Sequence, residues 1–467
     1  MSFSEFLNSR RADCKALVDE LSKSFSYVAI LGSDVKSSMI GADKNMSSVD
    51  EGSMSECGFV IKMHNGNCFF EYSLDDVSGD KKALAEKIIS SVRVAEAMQK
   101  REISVPTPKD DALVKSFSRE CDFDSYTDEK LLAFAKSTCK EILESDEHMV
   151  NAMVRILPFT VSKLFVTKNK ELDQFYSWVN VIAIAIYHTG EKMVMAREGT
   201  YSNLMSEAVA GIPERIPVLI HKVRKLATAK PITPGVYDVI TDPSISGLIA
   251  HEAFGHGVEM DQFVKDRALA KEYVGKYVAS PICNMRDGAA ATFSTASYFF
   301  DDDGVLAQDT QIIKDGILVS GISDLVSATE LGTEPTGNGR RQSYKRKAYS
   351  RMTNTFFMPG NDKLEDMIKS IKHGYMLFET NNGMEDPKNW QIQCTAEYGI
   401  EIVDGKLTDN YVSPVVMSGS VPELLKSISM VSDDFKIIGM GSCGKGYKEW
   451  VRVSDGGPAL KVRVKLA

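Results

Sequence analysis

Histidine is scarce in this chain, seven in 467 residues, and tryptophan scarcer still, at three. The eight cysteines (14, 57, 68, 121, 139, 283, 394 and 443) never fall into C-x-x-C spacing, so nothing marks a paired-cysteine metal or redox motif. Positive charge is also in deficit: the formal net charge is -9. A non-specific nucleic-acid binder needs a basic footprint, and direct nucleic-acid binding is therefore not expected. Long apolar runs are missing. The most apolar stretch, Val179 to Tyr187, is nine residues long and contains Asn180, whereas a membrane-spanning helix needs about 20. The start, Met1 to Leu7, holds no apolar segment of signal-peptide type. No membrane association and a cytoplasmic location are expected, with the cysteines as buried thiols in a reducing compartment.

What is present is concentrated. Two of the seven histidines and three carboxylates lie within His251-Glu252-Ala253-Phe254-Gly255-His256-Gly257-Val258-Glu259-Met260-Asp261. His-Glu followed by a second His is how zinc hydrolases hold a metal and activate its water. Here, however, the histidines are five apart rather than four. On an ideal α-helix that turns their side chains about 140° apart, so the backbone must change locally. Gly255 and Gly257 are places where a helix bends, and a π-bulge would also narrow the angle. Glu252 is placed to take a proton from water, and Glu259 and Asp261 to accept from a histidine N–H. A third ligand is not adjacent. Glu259 and Asp261 crowd His256, and the soft candidate is Cys443, in Gly439-Met440-Gly441-Ser442-Cys443-Gly444-Lys445-Gly446. Flanking glycines would leave its thiol accessible and Lys445 would favour the thiolate. The plain rival is a helix end whose two histidines cap carbonyls.

Around the motif the chain divides in two. Helices are expected over 3–24, 81–100 and 128–145, with at least one more in 203–223, where apolar residues recur at helical spacing. Strands are expected over 27–31, 57–61, 67–72, 150–169, 173–187 and 191–199. The residues 35–56 read as a strand pair with a long loop or a mobile flap, and His64 as a turn residue. The linker candidate is Lys230 to Gly235, with two prolines and a glycine. The expected fold is α+β: an N-terminal α/β domain at 1–225 and a C-terminal catalytic domain at 226–467, mainly antiparallel β, carrying the motif helix. In the latter, strands are expected at 290–300, 311–313, 317–322, 375–378, 391–397, 399–403 and 411–416. Turns are expected at Asp303-Gly304, Asp315-Gly316, Asn382-Gly383 and Asp404-Gly405, and helices at 364–372 and 422–430.

Three segments carry a family resemblance: the 251–261 motif, Pro335-Thr336-Gly337-Asn338-Gly339-Arg340-Arg341 with Arg351-Met352-Thr353-Asn354-Thr355, and Gly441-Ser442-Cys443-Gly444-Lys445. In that order they resemble the TldD/PmbA metallopeptidases, once described as modulators of DNA gyrase, and specifically the branch that keeps the histidine motif. The resemblance implies a zinc-dependent peptidase with one Zn2+ per catalytic subunit, held by His251, His256 and Cys443, with Glu252 as base. It implies unfolded peptide substrates admitted to a cleft enclosed by a twofold dimer, either a homodimer or a heterodimer with a PmbA/TldE-like paralogue. Arg340, Arg341 and Asn354 are candidates for binding peptide carbonyls or a terminal carboxylate. This chain departs from the family at Gln342 to Arg346, at Asn382 to Trp390, where a glycine-rich run is missing, and after Lys445, where it reads Gly446-Tyr447-Lys448-Glu449-Trp450. The rival functions are a thiol hydrolase using Cys443 with His256 as base, and a non-catalytic peptide-binding or regulatory partner.

Overall fold

A computed structural model describes all residues except Ser53, 99–103 and 447–448. The end of the helix expected to Lys100, and Tyr447 and Lys448 of the departure after Lys445, lie outside the described residues.

The N-terminal half is one eight-stranded sheet. Its order is Phe69–Leu74, Glu56–His64, Tyr27–Asp43, Met149–Thr167, Lys170–His188 and Leu113–Ser118. Ser47–Glu51 pairs with Tyr27–Asp43, and Met193–Ser202 with Lys170–His188. Among the described residues of this sheet, only Leu113–Ser118 pairs in parallel. Strand alternation decides what each face meets. Val28 and Ile30 point to the helices Glu5–Leu21 and Lys81–Ala97, packing with Leu7, Leu17 and Ile88. Their neighbours Tyr27, Ala29 and Leu31 point the other way and meet Phe300 and Leu325 of the C-terminal half. Asp128–Glu144 and Ile212–Thr228 complete a second core with Val154, Val181 and Ala183. The residues 35–56 are a strand pair: the first strand runs unbroken to Asp43 and returns at Ser47. His64 is not a turn residue. It is buried at a strand end, with Nε2 2.9 Å from Val105 O.

The C-terminal half holds two larger sheets. In the first, His373–Asp386, Gly235–Thr241, Leu460–Leu466, Val415–Ser420 and Gln391–Val403 pair in turn, and the last pairs back to His373–Asp386, closing a ring. The second runs Ile317–Leu318, Thr310–Lys314, Met285–Asp287, Asn354–Phe357, Glu449–Gly457 and Lys436–Lys445. Pairing is antiparallel apart from Gly235–Thr241 with His373–Asp386 and Asn354–Phe357 with Glu449–Gly457. Asp315-Gly316 and Asp404-Gly405 make tight hairpin turns, with both residues of each pair at positive φ.

Several expectations are corrected. Residues 290–300 form no strand. Their hydroxyls bond to the backbone instead: Thr295 Oγ1 donates to Gly439 O at 2.6 Å and Ser297 Oγ to Thr292 O at 2.8 Å, which competes with a ladder. The two strands expected at 391–397 and 399–403 are one, Gln391–Val403. The one expected at 411–416 is divided between Lys406–Val412 and Val415–Ser420, where Pro414 has no N–H to offer a ladder. Asn382-Gly383 lies inside the strand His373–Asp386 rather than in a turn.

Between the two C-terminal sheets runs the motif helix. Asp242 caps it, its Oδ1 accepting from Ile245 N at 2.8 Å, and Pro243 occupies the first turn. Ile245, Leu248, Ile249, Ala253 and Phe254 sink into the core beside Met285, Ile312, Leu377 and Val453. Each large apolar side chain buried this way contributes about 1.5–3 kcal/mol. Phe254 also stacks on Trp390, ring centres 5.8 Å apart.

Candidate metal centre

The extra residue between the histidines is absorbed as a π-turn. Pro243–Leu248 is α-helical, Ile249–Gly255 is π-helical and His256–Val258 a 3-10 turn. His256 N–H donates to His251 O, five residues back. Five residues make only a little more than one turn of this wider helix, so both imidazoles leave the same side, with ring centres 5.2 Å apart. Gly255 supplies room rather than an unusual backbone: its φ is -58°, and a Cβ there would lie 2.1 Å from Met352 Sδ. Gly257 likewise leaves space for Glu385 Oε1 and Trp390 Nε1, at 3.0 and 3.2 Å from where its Cβ would be.

Cys443 arrives from the strand Lys436–Lys445. Its Sγ lies 3.4 Å from His256 Nε2, and one donor atom each from His251, His256 and Cys443 fall within 4.8 Å of one another. Metal–ligand bonds of 2.0–2.3 Å in tetrahedral zinc place ligands about 3.5 Å apart, so this donor set suits such an ion. A further sign is His251 Nδ1, buried without a hydrogen-bond partner among the described residues. Burial opposes charge on all three groups, but their mutual attraction outweighs it. His251 is pushed up to about 9, His256 goes well above its usual value, and Cys443 falls well below an ordinary thiol.

The surrounding carboxylates divide into distinct tasks. Glu259 Oε2 sits 3.1 Å from His256 Nδ1, which leaves Nε2 turned toward Cys443. Burial opposes ionisation of Glu259, but Lys445 and His256 hold it below the usual carboxylate range. Asp261, expected from the sequence to accept from a histidine, instead accepts from Lys445 Nζ at 2.6 Å and Lys265 Nζ at 3.0 Å. Lys445 correspondingly pairs with Glu259 and Asp261, not with the thiol, and the thiol is buried rather than accessible. The depressed thiol owes its shift to the two histidines. Glu252 remains partly open, its Oε2 3.9 Å from His256 Nε2.

Of the residues expected to meet substrate, Arg340 and Arg341 line an inter-domain cavity. Arg340 donates to Met352 O and Arg452 O at 2.6 and 2.7 Å, and Arg341 pairs with Glu71 at 3.0 Å. Asn354 is fully buried and its amide donates to Gly288 O and Thr292 O, so it braces the interior away from any peptide.

Three residues that the sequence reading passed over stand close to the motif. Arg351, fully buried, donates to Cys443 O at 2.6 Å and Glu449 O at 3.0 Å, clamping the strand that carries the thiol. Asp455 faces His251, and burial pushes its carboxyl up to about 6 despite that neighbour. Glu385 keeps both carboxyl oxygens buried and, among the described residues, unpartnered, and burial raises it well above the usual range. Only Arg351 had a signal, its place in the Arg351-Met352-Thr353-Asn354 segment.

Residues 234–466 match the family model for the PmbA/TldA metallopeptidase C-terminal domain. A metalloprotease of Methanothermobacter thermautotrophicus is 33% identical over 242 residues, 52% of each chain. A metalloprotease TldD homologue of Haemophilus influenzae is 35% identical over 229 residues, 49% of this chain and 47% of that protein. The matches to these two span about half the length of each. A zinc metalloprotease TldD homologue of Saccharolobus solfataricus is 29% identical over 334 residues, 68% of this chain and 74% of its own. Among solved structures, TldE of Thermococcus kodakarensis superposes with a TM-score of 0.75 at 19% identity, covering 97% of this chain and all of that one. A Thermotoga maritima candidate modulator of DNA gyrase does so with a TM-score of 0.78 at 17% identity, covering 99% and 100%. These two likenesses establish the fold.

Proposed function

Because this chain belongs to the PmbA/TldD family of metallopeptidases through residues 234–466, we propose that it is a zinc-dependent peptidase acting on unfolded peptides. His251, His256 and Cys443 would hold one Zn2+, and Glu252 would serve as base. The observation that carries the reading is the meeting of three donors within 4.8 Å, one of them 187 residues along the chain from the nearer histidine. Zinc in such a site supplies Lewis acidity, making water more acidic and a scissile carbonyl more electrophilic.

The chain's own groups do the rest. Glu252, partly exposed beside His256, takes the proton of the attacking water and returns it to the leaving amine. Glu259 holds the His256 Nδ1 proton and so keeps Nε2 free as a donor atom. Arg351 and Lys445 fix the height of the Cys443 strand against the motif helix. Enclosure of the cleft is assigned to a twofold partner, a second copy or a PmbA/TldE-like paralogue; the fold shared with a TldE supports it. A cytoplasmic setting accords with thiols that are mostly buried.

The test pairs metal analysis with peptide hydrolysis in the native chain, Glu252→Gln and Cys443→Ala. Glu252→Gln should keep its metal and lose about a hundredfold to ten-thousandfold in rate. Cys443→Ala should lose metal. An unchanged rate in the first variant sinks the peptidase reading, and equal metal in the second removes Cys443 from the site. One observation favours a second reading: Sγ at 3.4 Å from His256 Nε2 is also a thiol–imidazole pair. On that reading, activity would survive chelation and be lost on alkylation of metal-free protein.

A further inference from the structure

The hairpin of Lys436–Lys445 and Glu449–Gly457 has two faces with different surroundings. Adjacent residues of a strand point to opposite sides. Cys443 therefore turns to the histidines, while Ser442 and its cross-strand partner Arg452 turn the other way. There they line a cavity of about 1140 Å3 closed on its far side by the N-terminal sheet, through Val35, Phe159, Val161 and Tyr176.

The cations at this wall are not equivalent. Lys163 pairs with Asp302 and Arg341 with Glu71. Arg340 spends two N–H groups on backbone carbonyls. Arg452 has no carboxylate and no hydrogen-bond acceptor among the described residues, and its Nε is fully buried and unsatisfied. Its guanidinium lies over the Phe159 ring, 4.0 Å from the centre. Burial lowers it only to about 10, so it stays a cation at neutral pH. Lys62, Lys222, Arg341 and Lys445, by contrast, each meet a carboxylate. Of the acids that line the cavity, Asp301 accepts from Val305 N and Gly339 N, Asp302 from Lys163 and Arg341 N, and Glu56 from Ser343, while Glu51 stands on the exposed strand Ser47–Glu51. A desolvated guanidinium left over in this way lacks an anion, and its planar fork matches a carboxylate.

We propose that this inter-domain cavity is a carboxylate-binding site for a peptide, in which Arg452, with Arg340 beside it, receives a C-terminal carboxylate or an acidic side chain. The volume exceeds what a lone small anion fills and lies above the usual range for small-molecule pockets. Its walls mix aromatic and aliphatic groups with polar ones such as the Ser442 hydroxyl, as an extended peptide requires. The choice of a peptide rests on the function proposed above, whereas carboxylate recognition does not require hydrolysis.

The experiment uses the full chain carrying Glu252→Gln, so that binding is read without turnover. Trp450 lines the cavity, and its fluorescence reports occupancy. Four forms of one short peptide are titrated: free acid, C-terminal amide, amide with one internal Glu, and amide with Gln in its place. The free acid or the Glu form should bind about tenfold or more tightly than its neutral counterpart, and whichever arm gains identifies the source of the carboxylate. Arg452→Met should erase that preference, with thermal unfolding verifying the fold. Should that variant not fold, Arg452→Lys serves: it keeps the charge, loses the paired fork, and should weaken the preference. Equal binding of acid and neutral forms overturns the proposal, as does a folded Arg452→Met or Arg452→Lys chain with its preference intact. Failure of the peptidase reading would instead be seen as native protein without hydrolysis, while acid-selective binding persisted.

Discussion

At the scale of single residues, the candidate centre works through partners that hold each group in one state. Glu259 is the clearest case. It is fully buried, takes the Nδ1 side of His256, and is itself neutralised by Lys445. Removing such a carboxylate leaves the imidazole free to rotate and makes it a weaker donor. Glu259→Ala should therefore lower zinc affinity about tenfold to a hundredfold, measured by competition with a chromophoric chelator. Asp261→Asn, which touches Lys445 and Lys265 and no histidine, should lower it much less; equal losses would mean that orientation of His256 is not what Glu259 supplies. The sequence brought both carboxylates near the motif, but could not say which one would reach the ring. That depended on where the 3-10 turn at His256–Val258 ended.

At the scale of elements, the centre depends on how closely the motif helix lies against the strand Glu449–Gly457. Gly247 sets that distance: a Cβ there would fall 2.3 Å from Gly456 N and 2.7 Å from the Asp455 carbonyl carbon. Backbone cannot give way as a side-chain tip can. Gly247→Ala should push helix and hairpin apart, costing about 1–3 kcal/mol of stability and reducing metal retention in the protein that still folds. Unfolding by denaturant and metal content would check both, and a variant with native stability would show that the helix adjusts freely. A local change in the helix was legible as a requirement, with a glycine bend or a π-bulge as its alternatives, because histidines five apart cannot share an ion on an ideal α-helix. Its extent over Ile249–Gly255 was not, since π hydrogen bonding competes with α at every residue and the balance is struck by packing.

At the scale of the whole molecule, the two halves are joined by buried charges. Lys62 lies between Asp303 and Glu71, Lys163 meets Asp302, and Arg341 meets Glu71. Burial opposes the Glu71 carboxylate, but Arg341 and Lys62 prevail and hold it down to about 2, against an ordinary 4.5. A carboxyl lowered on folding stabilises the protein above its unfolded value, and the gain disappears as pH falls toward the folded one. The inter-domain contact should thus lose stability between about pH 4.5 and about pH 2. Lys62→Met removes one side of the cluster and leaves Asp303 with an uncompensated burial, for which a loss of about 3–5 kcal/mol is expected. Melting temperature against pH, in native and variant chains, tests both statements. A native-like melting curve in Lys62→Met would show that the cluster adds nothing to the joint.

The sequence by itself determined the division into an α/β half and a β-rich half, the helix that carries the histidines, and the need for a local change in that helix. Those follow from periodicity, turn residues and the angular step of a helix, all of them local. It also marked Cys443 as a soft donor, because a cysteine among glycines stands out whatever surrounds it. Only the tertiary structure decided that Cys443 is buried beside the two histidines, that Asn354 braces the interior, and that Lys445 serves Glu259 and Asp261 rather than the thiol. It likewise decided that Arg452 is left without a counter-ion among the described residues. Each of these is a pairing between residues far apart in the chain. Which partners meet is set by sheet register and by the face a side chain is given, and one residue of slip in a strand would reverse every one of them.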